Sequence, residues 1–128
     1  MTRTLLPEVH DPETRLALAE AVLAVLGGWG VAPAKQAELL GLANIAPLIP
    51  GAPLPDDPGV LERAGHLLGI ERALKRRHPD DPAARHAWLM FPAAELGQPP
   101  LRVMLDGVEG IKRVRSLLET GAGAPRGM

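Results

Sequence analysis

Four histidines, two pairs of adjacent aspartates, one serine and a short glycine cluster are the side chains and loops of this chain that could do chemistry. His10, His66, His78 and His86 would hold a metal if two of them shared a helical face. The closest spaced that lie within one stretch, His78 and His86, are separated by Pro79 and Pro82, which break any common helix. Asp56-Asp57 and Asp80-Asp81 could act as paired carboxylates, but each pair stands directly before a proline that starts a helix, where aspartate caps orphan amides. Ser116 lies among Lys112, Arg113 and Arg115 with no base placed beside it by the pattern. Gly27-Gly28-Trp29-Gly30 is too short for a phosphate loop and follows no strand. The sequence therefore predicts no catalytic residue, no metal and no cofactor, and a chain that is not an enzyme.

The elements that must position these residues are helices. Leu16, Ala19, Leu23 and Leu26 recur at helical spacing behind Asp11-Pro12-Glu13, which predicts a helix from about Pro12 to Leu26, ended by Gly27-Gly28. Pro33 starts a short helix to Leu40, closed by Gly41. Pro47, Pro50, Pro53, Pro55 and Pro58 leave room for a third helix of barely two turns, and the run from Pro50 to Asp57 reads as an extended connector. Beyond it, Asp57-Pro58 predicts a helix to about Arg77, Asp81-Pro82 one through Trp88 to about Phe91, Pro99-Pro100 a short one ended by Gly107, and Val108 to Glu119 the last. Lys75, Arg76 and Arg77 sit where cations suit the negative end of a helix dipole. Trp88 and Phe91 read first as core, with contact to a partner as the alternative.

Composition agrees with an all-α fold. Apolar residues make up 46% of the chain, yet Trp29, Trp88 and Phe91 are its only aromatics and Tyr is absent, so strand-favouring residues are scarce. There is no cysteine, no apolar stretch near the roughly 20 residues that span a bilayer, and no signal peptide in Met1 to His10; these features predict a cytoplasmic protein away from membranes. Residues 1–59 carry three Lys/Arg against seven Asp/Glu, and residues 60–128 eleven against eight. The first half thus looks least like a nucleic-acid binder.

From Glu62 to Leu118 the order Glu62-Arg63, Leu67-Leu68-Gly69-Ile70, Ala73-Leu74, Ala87-Trp88-Leu89, Pro92, Leu96-Gly97, Pro100-Leu101, Met104-Leu105, Gly107 and Leu117-Leu118 resembles the toxin-binding domain of the Xre/MbcA/ParS antitoxin family. The resemblance implies an all-helical antitoxin of a type II toxin–antitoxin pair. It implies a helix-turn-helix-like lobe with a proline-rich connector over residues 1–56, a toxin-binding domain over 57–121 and a flexible tail over 122–128. The implied partner is a RES-domain toxin, similar to ADP-ribosyltransferases, that depletes NAD, and the implied assembly is a homodimer or a larger complex with toxin. Candidate toxin contacts are Trp88, Arg102, Lys112, Arg113, Arg115 and Glu119, with Arg126 and Met128 in the tail that the family places near the toxin's NAD entrance. Where the family has Pro-Asn after its tryptophan helix, this chain has Pro92-Ala93.

The other reading is a helix-turn-helix DNA-binding regulator. Its reading residues would be Lys35, Gln36 and Asn44. Phosphate binding needs cations, and none stands between Gln36 and Glu62. The segment after Gly41 therefore serves either as a poor DNA reader or as a scaffold that packs or dimerises.

Overall fold

The computed structural model describes residues 11–120, so the tail with Arg126 and Met128 lies outside the described residues. Six α-helices and no strand are found among them: α1 (Pro12–Gly28), α2 (Pro33–Leu40), α3 (Pro58–Arg77), α4 (Pro82–Met90), α5 (Pro100–Met104) and α6 (Val108–Glu119). The fold is all-α, and the prolines and aspartates placed its helix starts. Asp57 Oδ1 accepts from the amides of Gly59 at 2.8 Å and Val60 at 3.3 Å, and Asp81 Oδ1 from Ala84 at 3.0 Å. Both aspartate pairs thus contribute a helix cap, because the orphan amides of a first turn need an acceptor. The chain divides into two compact units between Gly65 and His66, inside α3, whereas the sequence places the boundary at the connector before Asp57.

In the first unit α1 runs on through Gly27 and Gly28. Gly30, not the Gly27-Gly28 pair, takes the left-handed turn at φ 77°. Val31 N donates to Leu26 O at 3.1 Å and Gly30 N to Gly27 O at 3.0 Å, which closes the helix while Leu26, Trp29 and Val31 are buried. The same pair of bonds ends α2 at Gly41, φ 76°, from Leu42 to Ala37 and from Gly41 to Glu38. After α2 the chain forms only a three-residue 3-10 turn, Ala46–Leu48, since Pro47 and Pro50 prevent propagation. A second helix of helix-turn-helix type is not formed there. The connector is not free either. Leu54 is fully buried, its amide donates to Arg15 O at 3.2 Å, and its carbonyl accepts from Arg15 Nη1 at 2.7 Å, so α1 holds it at both backbone groups.

In the second unit α5 packs on both α4 and α6. Leu67, Ile70, Leu74, Leu89, Met104, Ile111 and Val114 are fully or almost fully buried. Gly110 lets α6 approach the backbone of α5, since a Cβ there would fall on the Val103 carbonyl. Arg77, near the end of α3, donates from Nη2 to Leu118 O at 3.4 Å and lies over the Trp88 ring, 5.7 Å from its centroid. One guanidinium thereby joins the C-terminal ends of α3 and α6 to α4.

Candidate functional site

The site is built on the part of α3 from His66 onward, on α6 and on the loop between α4 and α5, all within the second unit. On α6 the inward stripe is Ile111, Val114 and Leu118. Each residue turns about 100° round the helix axis, so Arg113 and Arg115 lie roughly 200° apart on opposite flanks of that stripe. Lys112 lies between them by the same rule, so the three cations span the outward arc of α6 with Arg113 and Arg115 at its two edges.

Arg115 borders α3. Its Nε donates to Glu119 Oε2 at 2.9 Å, its Nη1 is 3.1 Å from His66 Nδ1, and its guanidinium lies across Gly69, where a Cβ would meet Arg115 Cζ at 2.6 Å. A guanidinium only donates, so His66 Nδ1 accepts and the ring proton sits on Nε2. Gly69, Arg72 and Arg76 share one face of α3 by spacing. That placement shows in the electrostatics of Glu119, whose carboxyl is held below its ordinary pKa first by the hydrogen bond from Arg115 and further by the charges of Arg115, Arg76 and Arg72. Arg72 and Arg76 are thus part of this edge, although the position of Arg76 in the last turn suggests only a role at the helix dipole. Their spacing from Gly69 was the available signal.

Arg113 borders the other side, where Nη2 donates to Glu95 O at 3.4 Å. Lys112 is exposed and pairs with Glu109 at 3.5 Å on its own helix. Arg102 is exposed in the last turn of α5. Trp88 is only 9% exposed and faces Arg77, so its role is packing, and its place among the contacts is corrected on that ground. Phe91 is the reverse case, expected inward and found 68% exposed beside Met90 at 41%. The cause is Pro92, which bars the residue before it from the helical region; Phe91 is extended, φ −99° and ψ 147°.

In the first unit the three DNA-reading candidates do not converge on a free surface. Gln36 is buried, its Nε2 donating to Val31 O at 2.8 Å, so it closes the α1–α2 turn and reads no base. Asn44 Oδ1 accepts from Ala46 N at 3.0 Å, starting the 3-10 turn, and Lys35 pairs with Glu38 at 3.9 Å. An apolar groove of about 570 Å³ lies beside them, lined by Pro33, Ala37, Leu42, Ile45 and Ile49 among others.

Comparison with protein-family models and with curated proteins finds no match. Residue types and geometry therefore carry the functional argument. Among the described residues no cluster of three or more His, Asp or Glu side chains could hold a metal ion, and no helix is long and apolar enough to cross a membrane. What the second unit offers chemically is recognition: an exposed guanidinium, Arg113, on one edge of α6, the half-buried Arg115 with the Glu119 carboxylate on the other, and an exposed apolar loop.

Proposed function

We propose that this chain is the antitoxin of a type II toxin–antitoxin pair, which binds a RES-domain toxin through its second unit and prevents it from consuming NAD. The single observation that supports the reading most is that apolar residues of the resembling series form the core of the second unit. Leu67, Ile70, Ala73, Leu74, Trp88, Leu89, Met104 and Leu118, taken from that ordered series, are all buried there, while Glu62 and Arg63 fall in the first unit. On this reading the protein works in the cytoplasm by binding alone, as a homodimer or in a larger assembly with toxin. Cations of α3 and α6 steer and orient the toxin, while apolar contact supplies most of the affinity.

The test is co-expression. The product of the adjacent reading frame, expressed alone, should arrest growth and deplete NAD; with this chain, growth should recover and the two proteins should elute together on size exclusion. A harmless or non-binding neighbour would sink the reading. A chain ending at Thr120 addresses the part assigned to Arg126 and Met128. It should still bind but inhibit NAD consumption poorly, and full inhibition would move the blocking role onto the helices.

A further inference from the structure

The α4–α5 loop combines three properties that are seldom found together without a partner. It is apolar and exposed: Met90, Phe91, Pro92 and Ala94 all face solvent, and Phe91, one of only three aromatic side chains in the sequence, is 68% exposed. It is also held. Phe91 N donates to Ala87 O at 3.0 Å, Gly97 N to Ala93 O at 2.8 Å and Ala93 N to Gln98 O at 3.3 Å, while Arg113 reaches from α6 to Glu95 O. The buried neighbours Trp88 and Leu89 anchor the helix from which it departs. Finally, its charge is mixed: Glu95 carries a carboxylate on the loop, and the Arg113 guanidinium reaches it from α6.

A lone exposed apolar residue needs no explanation, but a bonded loop presenting several in succession is preorganised for contact, because little conformational freedom is lost when it docks. We propose that Met90, Phe91, Pro92 and Ala94, flanked by Arg113, form a knob that inserts into an apolar pocket with a carboxylate on its rim, on the surface of the partner protein. The proposal rests on the reading that the second unit binds a protein toxin. Its composition fits a protein surface: Arg113 commits one of its five N–H donors to Glu95 O and can offer others to a rim carboxylate, and the run of exposed apolar side chains beside it matches an apolar pocket rather than a row of phosphates. Phe91 enters the pocket and excludes water around the Arg113 pair, which is how aromatic anchors come to dominate interfaces.

The experiment uses the full chain and the toxin encoded by the adjacent reading frame, with affinity read by biolayer interferometry. Phe91→Ala should weaken binding by about 30-fold or more, the range of an anchor residue. Phe91→Leu should recover most of the loss, and Arg113→Ala should weaken binding about fivefold while reducing its salt dependence. Ile49→Ala removes an equally exposed apolar side chain from the first unit and should change affinity less than about threefold. Thermal melts of the Phe91 and Ile49 variants should match the wild type because these side chains are exposed, whereas Arg113→Ala also removes the bond to Glu95 O and should melt slightly lower. Wild-type binding with Phe91→Ala within about threefold of it overturns the knob and leaves the antitoxin reading standing. A wild-type chain that does not bind the toxin overturns both. If Phe91→Ala instead dissolves a dimer of the chain alone at unchanged toxin affinity, the loop serves a second copy and the proposal is wrong.

Discussion

Replacing Gly110 by alanine tests the close approach of α6 to the backbone of α5. The added Cβ would coincide with the Val103 carbonyl, and the obstacle is main chain of α5, not the end of a side chain that could swing away. Helix α6 must back off by more than about 1 Å to reach ordinary van der Waals distance. That movement loosens Ile111, Val114 and Leu118, which are 0–5% exposed, against their neighbours. Overpacking of this kind costs about 1–3 kcal/mol, and an immobile obstacle places it near 3. Alanine returns about 1 kcal/mol through its better helix propensity, so the net loss is about 2 kcal/mol, or roughly 6–10 °C in Tm. Gly65 is the internal control: it is a helical glycine in α3 with no atom within 4 Å of the place a methyl group would occupy, so Gly65→Ala should gain about 0.5–1 kcal/mol. The assay is urea denaturation of both variants with the slope compared to wild type. Gly110→Ala as stable as Gly65→Ala would refute the close α5–α6 approach.

Three further outcomes concern the contacts of single side chains. Arg115→Ala should raise the titration midpoint of Glu119, observed by carboxyl NMR; because the folded-state pKa is depressed, the stabilising contribution is present above the unfolded carboxylate value of about 4.3 and is lost as pH falls through the lower folded value. An unchanged midpoint would refute the hydrogen bond as the cause. Arg77→Lys keeps the charge but loses the planar contact with Trp88 and the reach to Leu118 O, and should cost about 1–2 kcal/mol in denaturant, against no loss if Arg77 acts only on the helix dipole. Gln36→Leu leaves the Val31 carbonyl without its side-chain donor and should cost about 1–3 kcal/mol, yet leave binding to promoter DNA weak at physiological salt, as in the wild type. Tight, Gln36-dependent binding in a mobility-shift assay would reverse that assignment.

What was legible in the sequence was local chemistry. Asp57-Pro58 and Asp81-Pro82 mark helix starts because cap and proline act within one turn, and Gly41 marks a helix end for the same reason. What was illegible depends on groups far apart in the chain or on how a turn packs. Leu54 reads as linker because the two Arg15 bonds that bury it come from 39 positions away. Gln36 reads as a surface polar residue on α2 because only the folded α1–α2 turn presents it with the Val31 carbonyl. Phe91 is an intermediate case. Its exclusion from the Trp88 stripe could have been inferred from Pro92, but its exposure required knowing that nothing among the described residues of the unit folds over the loop.

The cations of this chain divide by chemistry in a way that changes how its charge should be understood. Lys35, Lys75 and Lys112 each pair with a carboxylate one turn away on the same helix, at 3.9, 3.7 and 3.5 Å. Such pairs, in which the lysine is always exposed, add little stability and mainly cancel charge locally. Arg115 pairs in the same way with Glu119 on α6, but four other arginines do something else. Arg15 donates to Leu54 O, Arg77 to Leu118 O, Arg85 to His78 O at 2.6 Å, and Arg113 to Glu95 O, each time reaching a carbonyl of a connector, a helix end or a loop, where no further helical turn supplies an amide. A chain with no cysteine and few aromatics thus uses guanidinium groups to tie its irregular segments to its helices. The basic count of the second half is for that reason a poor measure of nucleic-acid affinity, since several of its arginines are already committed to backbone. Exposed apolar surface coincides instead with an arginine that is only partly committed, Arg113, at the loop carrying Phe91, and that is where a protein partner fits.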